Sequence, residues 1–257
     1  MTCVINTQGN QNKDIGKEVK DMSKRYFACV YGGANERIAS QHKEKIEELA
    51  NSIKENAVSY TEYEVLKEEN VPQKQNSKFL QSQCVLETIY NFTKDYEPVV
   101  VTDVGQHQML TAQYFNFNKP KKFITSGGMG TMGFGLPASI GAQIANPKSL
   151  VLNITGDGSF QMNLQELATC REHNIPIKII IMNNGYLGMV RETQEKLYKN
   201  CFQVEMNNPD FTKIAEAYDL LAIRVRKTEE LIPALKKMIA YQGTVIIDIE
   251  IDSAEEI

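Results

Sequence analysis

Between Gly156 and Tyr186 the chain reads GDGSFQMNLQELATCREHNIPIKIIIMNNGY, with an aspartate between two glycines at one end and two asparagines before a glycine at the other. Asp157 offers a carboxylate and Asn184 an amide oxygen. Hard oxygen donors of this kind suit Mg²⁺, which commonly completes its octahedron with phosphate oxygens and water. Gly158 and Ser159 open the helix after Asp157, where free backbone N–H groups and the positive end of the helix dipole favour an anion. A metal and a phosphate are therefore expected in one crevice. Each part alone has a plainer meaning, because GDGS is also good turn and capping chemistry and NNG is a common turn. The pairing across one unit is what points to a ligand.

That pairing depends on the elements between the two ends. The apolar run SLVLNIT leads into Gly156 and Asp157, a helix carries the chain back, and IKIIIMN leads into Asn183 and Asn184. This is one right-handed βαβ unit, which leaves both polar ends at the same sheet edge. Were the two strands neighbours, their ends would stand about 4.8 Å apart, close enough for Asp157 and Asn184 to share one ion.

The same alternation extends in both directions. A helix is expected over FLQSQCVLETIYNFT, strands over PVVVTD and KFIT, and a helix over LPASIGAQIA before the central unit, whose own helix is expected over LQELATCREH. After it come helices over MVRETQEKLY and DFTKIAEAY, a strand over LAIRV, a helix over TEELIPALKKMIA and a strand over TVIIDIEI. Pro233 is expected to delay the start of that last helix beyond Thr228. Apolar β-rich runs between amphipathic helices predict an α/β fold, a parallel sheet flanked by helices on both faces, with ligands at the carboxyl ends of the strands. The character of the chain changes near residue 77. Residues 1–76 are polar and lysine-rich, with a helix expected over 40–56 from the spacing of Ile46, Leu49, Ala50 and Ile53, and a linker over 67–78. A domain is expected over 77–257.

Bulk properties narrow the class. At 257 residues and 42% hydrophobic content the chain can bury a real core. A net charge of −4 without a long basic run argues against a nucleic-acid partner. No apolar run approaches the roughly 20 residues of a membrane span, and the opening MTCVINTQGNQNKD lacks a signal-peptide layout, so a cytoplasmic location is expected. Cys3, Cys29, Cys84, Cys170 and Cys201 are odd in number, scattered and without a CxxC pair, which suits reduced thiols.

The motifs TDVGQHQM, GGMGTMGFGLPASIGA, GDGSFQMNLQELATC, NNGYLGMVRETQ and NPDFTKIAEAY occur in that order. Together they resemble the C-terminal, diphosphate-binding domain of the acetolactate synthase (acetohydroxyacid synthase) large subunit, a thiamin diphosphate enzyme, from about residue 80 to 251. The resemblance implies thiamin diphosphate and Mg²⁺ as cofactors, with Asp157, Asn184 and the backbone carbonyl of Tyr186 as metal ligands. It implies that Gly158 and Ser159 meet the diphosphate and that Val104, Gly105, Gln106 and His107 wrap it from the other side. Gly130 and Met132 would meet the aminopyrimidine ring and Met132 would prop the cofactor in a bent shape. Met189 joins the cofactor wall, against the plainer reading of both methionines as core filler. Leu136, Pro137 and Ile140 are assigned to helix packing.

The implied reaction is the decarboxylative condensation of pyruvate with a second 2-oxo acid. Two alternatives stand beside it: another thiamin diphosphate-dependent decarboxylase or oxidase component, and a truncated fragment that binds cofactor without catalysis. The family's glutamate that activates the aminopyrimidine lies in a pyrimidine-binding domain not recognisable in residues 1–75, so no catalytic residue is assigned here. A homo-oligomer or a pyrimidine-domain partner chain is the expected source. FAD is expected only where a separate family-type middle domain is supplied. Thr193 stands where many members carry a Trp that shapes the second-substrate pocket, which leaves a preference for 2-oxobutyrate unsupported. The ending DIEIDSAEEI stops before the family's closing segment, and an apolar patch around Met129, Met132, Phe134 and Met189 is expected to meet a partner.

Overall fold

In the computed structural model residues 80–253 are described. The helix expected over 40–56, the linker over 67–78 and the residue-77 boundary lie outside them. Six strands form one all-parallel sheet: β1 (Val99–Thr102), β2 (Phe123–Thr125), β3 (Val151–Gly156), β4 (Lys178–Asn183), β5 (Leu221–Val225) and β6 (Val245–Glu250), in the order β2-β1-β3-β4-β6-β5. β3 and β4 are neighbours, with Gly156 beside Met182, so the two polar ends of the central unit do meet at one edge. The chain leaves β1 toward β2 and leaves β3 in the opposite direction toward β4. That reversal between β1 and β3 opens a crevice at their carboxyl ends, the usual ligand position in such sheets.

Helices cover both faces. On one side α1 (Ser82–Thr93), α2 (Gln106–Tyr114) and α8 (Thr228–Ala240) pack Val85, Leu86, Ile89, Leu110, Leu231 and Leu235 against Leu152, Ile154, Ile180 and Ile247. On the other, α3 (Gly135–Ala145), α4 (Asp157–Met162), α5 (Leu167–Glu172) and α7 (Phe211–Ala217) pack Leu136, Ile140, Phe160, Leu167 and Phe211 against Val101, Ile179, Ile181 and Ile246. Alternate residues of each strand feed opposite cores, and the strands read as continuous apolar runs because both faces are dry. α6 (Gly188–Tyr198) follows β4. Among the described residues no helix is long and apolar enough to cross a membrane, and Cys84, Cys170 and Cys201 are free thiols.

Four local expectations change. The VGQH segment is not all loop, since Gln106 begins α2, whose inward positions His107, Leu110 and Thr111 keep helical spacing but are mostly polar and so gave no apolar stripe. The single helix expected from Leu164 to His173 is a 3₁₀ turn over Leu164–Glu166 followed by α5, and a separate short helix, α4, precedes it. Between α4 and that turn Asn163 points its amide to the Gly133 carbonyl, 2.7 Å away. α8 does begin at Thr228 with Pro233 inside it, because the Glu230 carboxylate accepts the backbone N–H groups of Arg226 (2.8 Å) and Lys227 (3.2 Å) and fixes the start upstream of the proline. In α3, Leu136 and Ile140 are buried as expected, while Pro137 is exposed.

Candidate cofactor site

At the end of β1 the chain passes a buried aspartate, Asp103, whose oxygens accept the Gly135 N–H (2.9 Å) and the Thr155 hydroxyl (2.7 Å). This ties the start of α3 and the end of β3 to the loop that leads into α2. Burial pushes the Asp103 carboxyl up from its ordinary value, opposed by those hydrogen bonds. The next turn needs glycine. Gly105 has φ of 148°, and a Cβ on Gly105 or Gly156 would lie 2.9 Å or 3.0 Å from the His107 ring. The imidazole thus lies against two bare backbones, at the ends of β1 and β3. It is buried, its Nε2 has no hydrogen-bond partner among the described residues, and desolvation drives its pKa down to about 4, opposed by a bond to the Asp103 backbone. A neutral imidazole with one orphaned nitrogen sits in the cleft wall.

On the other side Asp157 is also buried. Its Oδ1 accepts the Gly158 N–H at 3.0 Å, and its Oδ2 accepts the Gly185 N–H at 2.8 Å and the Asn208 amide at 2.6 Å. The contact to Gly185 holds the carboxylate against the backbone between Asn184 and Tyr186, so the three expected metal ligands belong to one corner. Gly185 takes φ of 70°, which lets the chain turn there, and the Asn184 Oδ1 accepts the Tyr186 N–H at 3.0 Å. Tyr186 pairs with Glu205 in an antiparallel bridge, and Arg191 lies 4.6 Å over its ring. Burial raises the Asp157 carboxyl above its ordinary value, partly offset by the Asn208, Gly185 and Gly158 bonds.

Between these walls lies a cleft of about 230 Å³. Val104, Gly105, Gln106, His107, Gly130, Met132, Gly158, Ser159, Asn184, Tyr186 and Met189 all line it, so every cofactor-binding position expected from the sequence is brought to one place. Asp157 lies immediately behind that lining. Gln106 reaches across the cleft, where Asn184, just after β4, donates to it at 3.5 Å, and it donates to Glu192 on α6 at 3.4 Å. Gly188 makes room for this, since a Cβ there would fall 2.0 Å from the Gln106 Oε1. Of the patch expected on the surface, Met129 and Met189 are exposed while Met132 and Phe134 are half-buried.

The donor set fits a hard divalent cation. Among the described residues no three His, Cys, Asp or Glu side chains cluster for a metal, which argues against a zinc-type centre. The oxygen set of one carboxylate, one amide and one backbone carbonyl is of the kind Mg²⁺ takes with phosphate. Asp157 is a buried charge with no Lys or Arg paired to it among the described residues, and a cation would supply the compensation that burial demands. Sequence reasoning gave no role to Asp103, Asn183 or Asn208, although all three stand inside quoted motifs. Their partners are distant in sequence, so no local spacing reveals them.

The description "Thiamine pyrophosphate enzyme, C-terminal TPP binding domain" matches residues 103–249. The acetolactate synthase large subunit of Buchnera aphidicola subsp. Schizaphis graminum is 41% identical over 219 residues, 83% of this chain and 38% of that protein. The mitochondrial acetolactate synthase catalytic subunit of Saccharomyces cerevisiae is 48% identical over 155 residues, 60% of this chain and 23% of that protein. Acetolactate synthase isozyme 3 large subunit of Escherichia coli is 40% identical over 187 residues, 71% and 32% of the two chains. The chain thus spans 23% to 38% of the length of these relatives.

Proposed function

The chain belongs to the thiamine pyrophosphate enzymes, with their C-terminal cofactor-binding domain over residues 103–249, and on that premise we propose that its cleft binds thiamin diphosphate with Mg²⁺ to serve an acetolactate synthase-type condensation of pyruvate with a second 2-oxo acid. The observation that carries this reading is Asp157, a buried carboxylate with no Lys or Arg paired to it among the described residues, held against the backbone between Asn184 and Tyr186. Asp157, Asn184 and the Tyr186 carbonyl hold the metal. Gly158, Ser159 and the segment from Val104 to His107 take the diphosphate, while Gly130, Met132 and Met189 line the path of the organic part. Thiamin diphosphate, when bound, supplies the carbanion-stabilising chemistry for decarboxylation and carbon–carbon bond formation. The protein's share is to bind, orient and exclude water.

The proton chemistry needs one more group. Among the described residues Asp252 is the one acidic residue in the cleft lining, and its backbone N–H is tied to the Leu80 carbonyl at 2.8 Å. The acid that activates the aminopyrimidine comes, in this reading, from a pyrimidine-binding domain outside the described residues, brought by a second copy or a partner chain. Loss of such a positioned acid costs about 10² to 10⁴ in rate. Titration calorimetry with thiamin diphosphate, with and without Mg²⁺, tests the site: Asp157→Ala should abolish the Mg²⁺-dependent binding and Asp95→Ala on the exposed surface should leave it intact. Unchanged cofactor affinity in Asp157→Ala would refute the metal site. Mixing the chain with a pyrimidine-domain partner and analysing products tests the reaction. Acetolactate supports it, whereas acetaldehyde or peroxide assigns the site to a decarboxylase or oxidase.

A further inference from the structure

Behind Asp157, on the sheet face that carries α3 and α7, polar side chains are linked in a closed ring. The Asn208 amide donates both to Asp157 (2.6 Å) and to the Asn183 Oδ1 (3.0 Å). Asn183 in turn donates to Asp248 Oδ1 at 2.9 Å, and Arg224 donates to Asp248 Oδ2 at 3.1 Å. Arg224 also reaches Asp210 at 2.6 Å, and Asp210 caps α7 by accepting the Thr212 N–H at 3.0 Å. Asn208 stands two residues before Asp210, so the backbone closes the ring.

The ring has a direction. Asp248 is 1% exposed on a core strand, and as a carboxylate it only accepts, so Asn183 must turn its NH₂ toward it and its oxygen toward Asn208. That oxygen orients the Asn208 NH₂, which then has Asp157 as its second acceptor. Gln161 donates to the other end of the Asn208 amide at 2.9 Å and removes the flipped alternative. We propose that the Arg224–Asp248 pair, acting through Asn183 and Asn208, positions the Asp157 carboxylate for its divalent cation, with Asn208 as the positioning residue in direct contact. This rests on the metal site proposed above.

A ring that only braced β5, β6 and α7 would affect folding and leave the affinity of folded molecules for metal unchanged. Partners that orient a metal ligand cost about 10- to 100-fold in affinity when removed. The test uses the full chain with saturating thiamin diphosphate, Mn²⁺ as the probe read by electron paramagnetic resonance, Mg²⁺ as competitor, and thermal melting of the metal-free protein alongside. Asn208→Ala and Asp248→Asn should each weaken Mn²⁺ binding about 10- to 100-fold per folded molecule. Asn208 lies in a half-exposed loop, so its variant decides the matter if Asp248→Asn does not fold. Wild-type Mn²⁺ affinity in folded Asn208→Ala overturns the positioning role and leaves the metal site standing. Wild-type affinity in Asp157→Ala overturns the metal site itself, and the positioning role with it.

Discussion

Helices α6 and α8 are close in length and both amphipathic, yet they meet opposite fates. α8 buries Leu231, Ala234, Leu235 and Met238 against the sheet and α1, at the spacing expected of a core-facing stripe. α6 buries no residue: Leu197 and Tyr198 are 67% and 73% exposed, and Met189 and Val190 at its other end are exposed beside the cleft. Periodicity says that a helix has an apolar side. It does not say what covers that side. For α8 the cover is in the chain itself, whereas α6 forms the outer wall of the cleft and leaves apolar side chains exposed among the described residues.

The largest contrast should appear in folding stability. Leu235 is completely buried, and Leu→Ala at such a site costs about 2 to 5 kcal/mol through lost transfer energy and the cavity left behind. Leu197→Ala at an exposed position should stay within about 0.5 kcal/mol. Denaturant unfolding of both variants checks this, and an equal loss in the two would break the comparison by showing that α6 is packed after all.

The wall facing α6 is built differently, and pH should show it. His107, in the first turn of α2, is buried in a setting that lowers its pKa to about 4 from an ordinary 6.5. The unfolded chain therefore binds more protons than the folded one between those values, so the stability from His107 is complete above pH 6.5 and is lost as pH falls toward 4. The full loss is roughly 3 kcal/mol at 1.36 kcal/mol per pH unit. Asp103, Asp157 and Asp248 are shifted up by burial and work in the opposite sense, stabilising the fold as pH falls. The difference between wild type and His107→Gln isolates the histidine. Its urea midpoint difference should change between pH 6.5 and 4, while the difference between wild type and Leu197→Ala should not. A flat His107→Gln difference would mean that the ring is not held neutral.

What could be read from the sequence follows the same division. The parallel sheet was legible because runs such as IKIIIMN are β-rich and dry on both faces, and the GDG and NNG ends fixed which edge carries the site. Their convergence needed only that β3 and β4 be neighbours, which they are. α2 was hidden because its inward positions include His107 and Thr111, and a polar inward face gives no apolar period. The ring from Asn208 to Arg224 was hidden because its members come from β4, β5, β6 and the loop before α7, and only folding brings them together.

A smaller effect concerns association through α6. Replacing Leu197 by Glu puts a charge beside Tyr198 among the exposed apolar side chains at the C-terminal end of α6, and if that end meets a second copy or a partner the contact should weaken about tenfold, or 1.4 kcal/mol. Sedimentation of the chain at graded concentrations, alone and with a pyrimidine-domain partner, would detect this. Leu197→Glu with unchanged association would move the interface away from α6. Stability should stay within about 0.5 kcal/mol in either case, since nothing buried is disturbed.

An effect confined to product choice, with none expected on folding, lies one turn along the same helix. Thr193 is exposed, and its hydroxyl donates to the Met189 carbonyl at 2.8 Å, so its polar group is spent on the helix backbone while Met189 faces the cleft. Where many members of the resembled family carry an indole, this chain offers a short side chain and open space. An extra methylene on an acceptor gains about 1 to 3 kcal/mol only when a pocket packs against it, and Thr193 is too small to do so. With activity restored by a pyrimidine-domain partner, pyruvate and 2-oxobutyrate competing at equal concentration should give nearly equal products. Thr193→Trp should raise the share of the ethyl product about tenfold or more, while Leu235→Ala, on the helix that faces the core, should leave the ratio unchanged. A dominant ethyl product from the wild-type chain would show that another residue closes the pocket, and α6 would then be less open than its exposed side chains suggest.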